Sequence, residues 1–94
     1  MRPKATGRTI LENERVIVTE WRFAPGAATG WHRHDMDYVV VPMLDGELEL
    51  VGPDRERTRA KLSKGAPYCR NAGVEHDVIN PNSYEFAFVE IELK

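Results

Sequence analysis

Three histidines are the residues of this sequence whose type and spacing could do chemistry. His32 and His34 stand two residues apart, and His76 follows much later in the chain. Residues two apart on a strand share one face, and the neutral imidazole is the commonest protein ligand for transition metals. Two histidines from one strand and a third from a facing strand could therefore hold a metal and leave other positions open. Surface or hydrogen-bonded core histidines are the alternative, because so short a pattern also arises by chance.

The elements that would position these histidines are short strands. Apolar and polar residues alternate over runs that turn residues separate, and no helical stripe continues for about ten residues. Asp45-Gly46 predicts a tight hairpin between its neighbours, and in the last run Phe86 and Phe88 share a face. The pattern predicts an all-β sandwich or barrel, most simply a jelly roll. The predicted strands are 15–23, 38–44, 47–51, 58–62, 67–70, 76–79 and 84–93.

Length and composition limit what the chain can be. Its 94 residues, 41% hydrophobic and 30% charged, predict one folded domain over 1–94 with no separate cofactor domain. A net charge of −2 with dispersed basic residues argues against nucleic acid as a partner. No apolar run suits a membrane span or a signal peptide, so we expect no membrane partner and a cytoplasmic location.

The single cysteine, Cys69, fits a reducing compartment, and we expect it to be buried and inert. We expect the N-terminal segment that contains Arg2, Lys4 and Arg8 to be frayed.

Glycines and an asparagine stand at fixed distances from the histidines. In this respect the sequence resembles the cupin superfamily, whose first motif is Gly, five residues, His-x-His, three or four residues, Glu, six residues and Gly. Its second motif is Gly, five residues, Pro-x-Gly, two residues, His, three residues and Asn. The matching residues are Gly26, His32, His34 and Gly46 at about 26–46, and Gly65, Asn71 in place of proline, Gly73, His76 and Asn80 at about 65–80. The resemblance implies a single-domain cupin-type jelly-roll β-barrel in which the histidines are metal ligands and Asn80 ties a turn.

The sequence departs from the family at the glutamate of the first motif. Val39 stands at that position, and its side chain cannot bind a metal. Asp37, or the adjacent Tyr38, could replace the missing ligand if the turn after His34 is irregular. Tyr38 is the first candidate for catalytic proton transfer, with Tyr68 and Glu75 as further candidates. We favour a three-histidine metal site over a site that uses Asp37. The ligands of that site would be His32, His34 and His76.

The resemblance implies two classes of function. The first is a metal-dependent enzyme, dioxygenase-like or lyase-like, that acts on a small molecule able to carry a carboxylate. The alternative is a non-enzymatic module that binds or senses a metal or a small ligand. The cofactor would be a divalent first-row metal, namely iron, nickel, zinc, manganese or copper. The stretches from Thr9 to Val41 and from Gly73 to Asn80 resemble short bacterial cupins named for β-alanine degradation. We expect a homodimer formed by sheet extension at an exposed terminal strand.

Overall fold

Nine strands make up the fold over residues 2–94, which are the residues that this computed structural model describes. They are β1 (Thr6–Glu12), β2 (Val16–Phe23), β3 (His32–Arg33), β4 (Asp37–Pro42), β5 (Gly46–Val51), β6 (Arg57–Leu62), β7 (Tyr68–Arg70), β8 (Glu75–Ile79) and β9 (Phe86–Leu93). One sheet has the order β1-β2-β9-β4-β7 and the other the order β3-β8-β5-β6. The predicted all-β, jelly-roll-like fold is confirmed. Within residues 2–94 no helix is long and apolar enough to cross a membrane.

The core lies between the inner faces of the two sheets. Strand alternation turns Phe23 of β2 and the phenylalanines of β9 inward, where Phe23 and Phe86 are completely buried. The rings of Phe23 and Phe88 lie 5.5 Å apart between centroids, and Leu48 packs into the same cluster from the opposite sheet. Each such side chain contributes about 1.5–3 kcal/mol through its burial. The two sheets are thereby fixed relative to one another, which fixes the cavity between them.

Asn80 ties the segment after β8 to the core. Its side chain is fully buried, and Nδ2 donates to the backbone oxygens of Phe23 at 3.1 Å and Tyr84 at 2.9 Å. Oδ1 accepts from the backbone N–H of Asn82 at 2.8 Å. Because one side chain satisfies several buried backbone groups, Asn80 has the structural role that the sequence predicts.

The hairpin prediction at Asp45-Gly46 is wrong. β4 and β5 belong to different sheets, so this turn carries the chain across the core. Glycine is needed for space, since a Cβ on Gly46 would lie 2.8 Å from the Tyr84 hydroxyl and 2.9 Å from a ring carbon of Phe86. The strand that pairs with β5 through a short loop is β6.

The prediction of a frayed N-terminus is also wrong. Ala5 is buried; its N–H donates to the Ala28 carbonyl at 2.9 Å, and the Ala28 N–H donates to the Pro3 carbonyl at 2.9 Å. The next residues form β1, which pairs with β2 along its length. All seven residues of β1 are exposed. Because apolar and polar residues do not alternate in this edge strand, the sequence pattern did not predict it.

The face of the five-stranded sheet that points away from the core carries a group of aliphatic side chains beside the charged residues Glu20 and Arg22. Cys69 pairs in register with Val39, and Val39 pairs with Ile91. Cys69 is exposed, so the prediction that it is buried is wrong. The C-terminal strand β9 lies between β2 and β4, whereas β1 is the terminal strand with a free edge. We call the aliphatic residues of this surface the outer apolar face. They are Val16, Val18, Val39, Val41, Val89 and Ile91.

Candidate metal centre

Two strands and one short loop bring the three predicted histidines together. His32 on β3 lies directly opposite His76 on β8 in the antiparallel register. His34 follows β3, and its backbone is held in place: its N–H donates to the Val74 carbonyl at 2.9 Å, and its carbonyl accepts from Gly73 N–H at 2.7 Å. The three imidazoles form one group that could hold a metal ion. A positive φ of 98° at Gly73 supports the turn that closes this arrangement.

The spacing of the imidazole nitrogens suits a single cation. His34 Nε2 lies 3.1 Å from His32 Nε2 and 3.2 Å from His76 Nε2. Two nitrogens bound at about 2.0–2.1 Å to one metal are separated by about 2.8–3.4 Å in octahedral or tetrahedral geometry. A neutral imidazole carries one proton, so the His34 Nε2 can donate to only one of its two neighbours. A divalent transition metal would satisfy all three nitrogens, and the donor set therefore fits one.

Backbone and hydroxyl groups orient the His32 ring. Its Nδ1 lies 2.9 Å from the Gly30 carbonyl, which only accepts, so Nδ1–H donates and Nε2 keeps its lone pair toward the other histidines. The Thr29 hydroxyl supports this carbonyl by donating to it at 2.9 Å, while accepting from Val78 N–H at 3.2 Å. This is the usual second layer of contacts around a metal-binding histidine.

Two of the histidines are held neutral. Burial, together with the nearby His32, lowers the pKa of His34 to about 4, while Asp35 acts in the opposite direction. Burial likewise lowers the pKa of His76 to about 4, with additional effects from His32, His34 and Arg70. Both imidazoles are therefore uncharged at neutral pH, which is the form that binds a metal.

Tyr38 and Asp37 lie side by side on β4 but have different surroundings. Tyr38 is buried, and its ring stacks on the His34 ring with centroids 3.9 Å apart. Burial raises the pKa of Tyr38 to about 12, so the phenol keeps its proton at neutral pH. Asp37 is exposed, and its carboxylate accepts the Ala72 N–H at 2.7 Å. The structure does not bring Asp37 into the histidine group.

A cavity of about 430 Å³ lies in front of the histidines and contains two acidic residues that the sequence analysis missed. Glu90 and Glu92 point inward from β9, and their oxygens lie within 4.8 Å of a His34 ring nitrogen and of each other. Strand alternation could have predicted their position, because Phe86 and Phe88 share the inner face and the same alternation continues to Glu90 and Glu92.

Glu90 is an unusually buried carboxyl group. Only 8% of the residue is exposed, and this burial raises its pKa to about 7, with a further contribution from the charge of Glu92. A hydrogen bond from Trp21 acts in the opposite direction. The cavity therefore holds a carboxyl group that titrates near neutral pH beside three imidazoles.

The cavity also has one basic residue with no acidic partner within residues 2–94. The Arg70 guanidinium lies over the Tyr68 ring, 4.7 Å from its centroid, and donates to the Cys69 carbonyl. It makes none of the ion pairs of the described chain, whereas Arg33, also at the cavity, pairs with Glu75 at 3.3 Å. Arg70 is thus available to an anionic group that enters the cavity.

The fold and the histidine motifs are those of a known family. The family described as cupin domain matches residues 19–92, and the chain belongs to the cupin family.

Individual relatives extend this assignment. The chain is 56% identical over 93 residues to the β-alanine degradation protein BauB of Pseudomonas aeruginosa, covering 99% of this chain and 97% of that protein. It is 56% identical to a cupin domain protein of Bordetella pertussis of known crystal structure, with a TM-score of 0.96 and coverage of 100% and 97%. The polyketide cyclase RemF of Streptomyces resistomycificus has 20% identity, a TM-score of 0.75, and coverage of 98% and 68%. This last likeness shows the fold alone.

Proposed function

We propose that this protein is a metal-dependent enzyme, dioxygenase-like or lyase-like, whose divalent first-row metal is held by His32, His34 and His76. The observation that carries the proposal is the convergence of three Nε2 atoms at 3.1 Å and 3.2 Å on one wall of a cavity. A metal held there would supply Lewis-acid or redox chemistry. Three histidines occupy one side of its coordination shell, so a substrate could bind from the cavity.

The proposed substrate is a small molecule with a carboxylate group. A cavity of about 430 Å³ suits a small ligand, and Arg70 offers a guanidinium that can bind a carboxylate in bidentate fashion. The 56% identity to a protein named for β-alanine degradation supports a role in the breakdown of that amino acid or of a related compound. Tyr38 is proposed to keep His34 in place by stacking and to serve as a proton donor, since its phenol stays protonated at neutral pH.

Metal analysis of the purified protein tests the proposal. We expect about one first-row metal per chain, and we expect His76→Ala to abolish its retention because the variant leaves only two of the three nitrogen ligands. Asp37→Asn is the matched control, since its carboxylate lies outside the histidine group and accepts a backbone N–H. Unchanged metal content in His76→Ala would contradict the three-histidine site, and a large loss in Asp37→Asn would restore Asp37 as a ligand.

A second measurement separates the enzyme from its alternative, a module that binds or senses a metal or small ligand. Iron(II)-loaded protein is tested for oxygen uptake, and each divalent metal form for substrate loss, against β-alanine, related small acids, thiols and diketones. If the protein turns over one of these compounds, the enzyme is supported. If Arg70→Ala then raises KM more than it lowers kcat, the carboxylate-binding role of Arg70 is supported as well. Tight binding without turnover of any compound would favour the binding module.

We also propose that the protein is a homodimer that works in the bacterial cytoplasm. The residues of the outer apolar face are half-buried side chains on the side of the sheet away from the core, and a second copy of the chain could cover them further. The free edge of β1 offers the route by sheet extension. The exposed thiol of Cys69 is compatible with a reducing compartment.

A further inference from the structure

The first cupin motif of this chain has no carboxylate, and the structure shows why β4 cannot supply one. Val39, at the position of the family's glutamate, pairs with Cys69 and Ile91 on the outer face of the sheet. The residue of β4 that faces the histidines is Tyr38, and its ring already covers His34. A carboxylate ligand must therefore come from another strand.

The neighbouring strand β9 presents two carboxylates at this place. Glu92 lies directly opposite Tyr38 in the antiparallel register, and Glu90 lies opposite Val40, one inward-facing pair further along. Both glutamates form, with His34, a second set of donors within 4.8 Å of one another. His34 therefore belongs to two donor groups, one with nitrogen ligands alone and one with oxygen ligands from β9.

Charge supports the same conclusion. Neither glutamate of β9 makes an ion pair with any lysine or arginine in residues 2–94. Two adjacent carboxylates in a cavity repel one another unless a cation or a proton lies between them. Three neutral imidazoles leave both charges of a divalent metal uncompensated, and the carboxylates beside His34 would compensate them.

Glu92 is the better placed of the two. It lies in the row of Tyr38, which contacts His34, whereas Glu90 lies one row away and takes a hydrogen bond from Trp21. We propose that Glu92 is the carboxylate ligand of the metal centre, replacing from β9 the ligand that the first motif lacks. This proposal rests on the proposed three-histidine site and adds one oxygen to its three nitrogens. Because the donor set that contains Glu92 includes His34 but not His32 or His76, the Glu92 carboxylate would turn from its place beside His34 toward the shared ion.

Cobalt(II) binding tests the assignment without any assay of activity. The metal-free protein is titrated with cobalt(II), and the affinity and the visible absorption bands, which depend on the ligands, are measured. We expect Glu92→Gln to raise the dissociation constant on the order of tenfold or more and to change the bands, because an oxygen ligand is lost. Glu12→Gln, an exposed glutamate on β1, is the matched control and should leave both unchanged.

Three results would overturn the assignment. The first is a Glu92→Gln variant that binds cobalt(II) with wild-type affinity and an unchanged spectrum. The second is an effect confined to Glu90→Gln, which would move the ligand to Glu90. The third is a wild-type protein that binds no cobalt(II), which would refute the three-histidine site as well.

The variants also separate this inference from the proposed function. If His76→Ala loses cobalt(II) while Glu92→Gln does not, the three-histidine site stands and this inference alone fails. Urea unfolding of each metal-free variant shows that the effect on binding is not a loss of folding.

Discussion

Glu90→Gln in the metal-free protein should make stability respond to pH in a defined direction. Burial and the charge of Glu92 raise the pKa of Glu90 from 4.5 to about 7 in the folded protein, while the unfolded chain keeps the ordinary value. Glutamine has nearly the same shape, and its side-chain oxygen can still accept the hydrogen bond from Trp21, but it cannot ionise. The substitution therefore removes the titration and little else.

The sign follows from proton binding. Between the two pKa values the folded protein holds a proton on Glu90 that the unfolded chain has lost, so the free energy of unfolding falls as the pH rises. The contribution of Glu90 is complete below pH 4.5 and is lost as the pH passes through about 7. At about 1.4 kcal/mol per unit of pKa, the total is about 3 kcal/mol.

Urea unfolding of both proteins, with a chelator present, measures the effect. Relative to the wild type, Glu90→Gln should gain about 3 kcal/mol of stability between about pH 4.5 and pH 8. His34 and His76 also titrate in this range, in the opposite direction, but they are present in both proteins and cancel in the difference. Glu12→Gln, at an exposed glutamate that pairs with Lys94, should show no such change. A stability difference between Glu90→Gln and wild type that does not vary with pH would refute the reasoning.

Two other predictions concern the framework of the site and its assembly. Asn80→Ala should destabilise the protein by about 3–5 kcal/mol in urea unfolding, because several buried backbone carbonyls lose their donor; a loss below about 1 kcal/mol would mean that water replaces the side chain. The exposed Ser83→Ala serves as its control. The wild-type protein should elute as a dimer in size-exclusion chromatography with light scattering, and Val18→Glu, in the middle of the outer apolar face, should give a monomer if that face is buried. A wild-type monomer would contradict the homodimer, and a dimeric Val18→Glu would place the contact elsewhere, with the edge of β1 as the next surface to test.

Much of the fold could be predicted from alternation alone. The strands around Phe23, Leu48 and Phe86 have period-two patterns with one buried face, and the structure places them close to the predicted ranges. The sequence did not predict β1, because all of its residues are exposed and apolar residues do not alternate along it. The pairing of β4 was mispredicted, since a short turn with glycine indicates a local hairpin while the actual partners, β9 and β7, are distant in sequence.

The candidate site divides in the same way. By itself the sequence determined that His32 and His34 share a face, through their spacing of two residues. It also determined that the segment from Gly65 to Asn80 brings His76 to them. Only the tertiary structure decided that β9 lies beside β4, which brings Glu90 and Glu92 to His34 and leaves Asp37 and Val39 outside the donor group. Spacing along a strand fixes the face on which a side chain lies, but the neighbour across the sheet is set by long-range pairing that packing of the whole core selects.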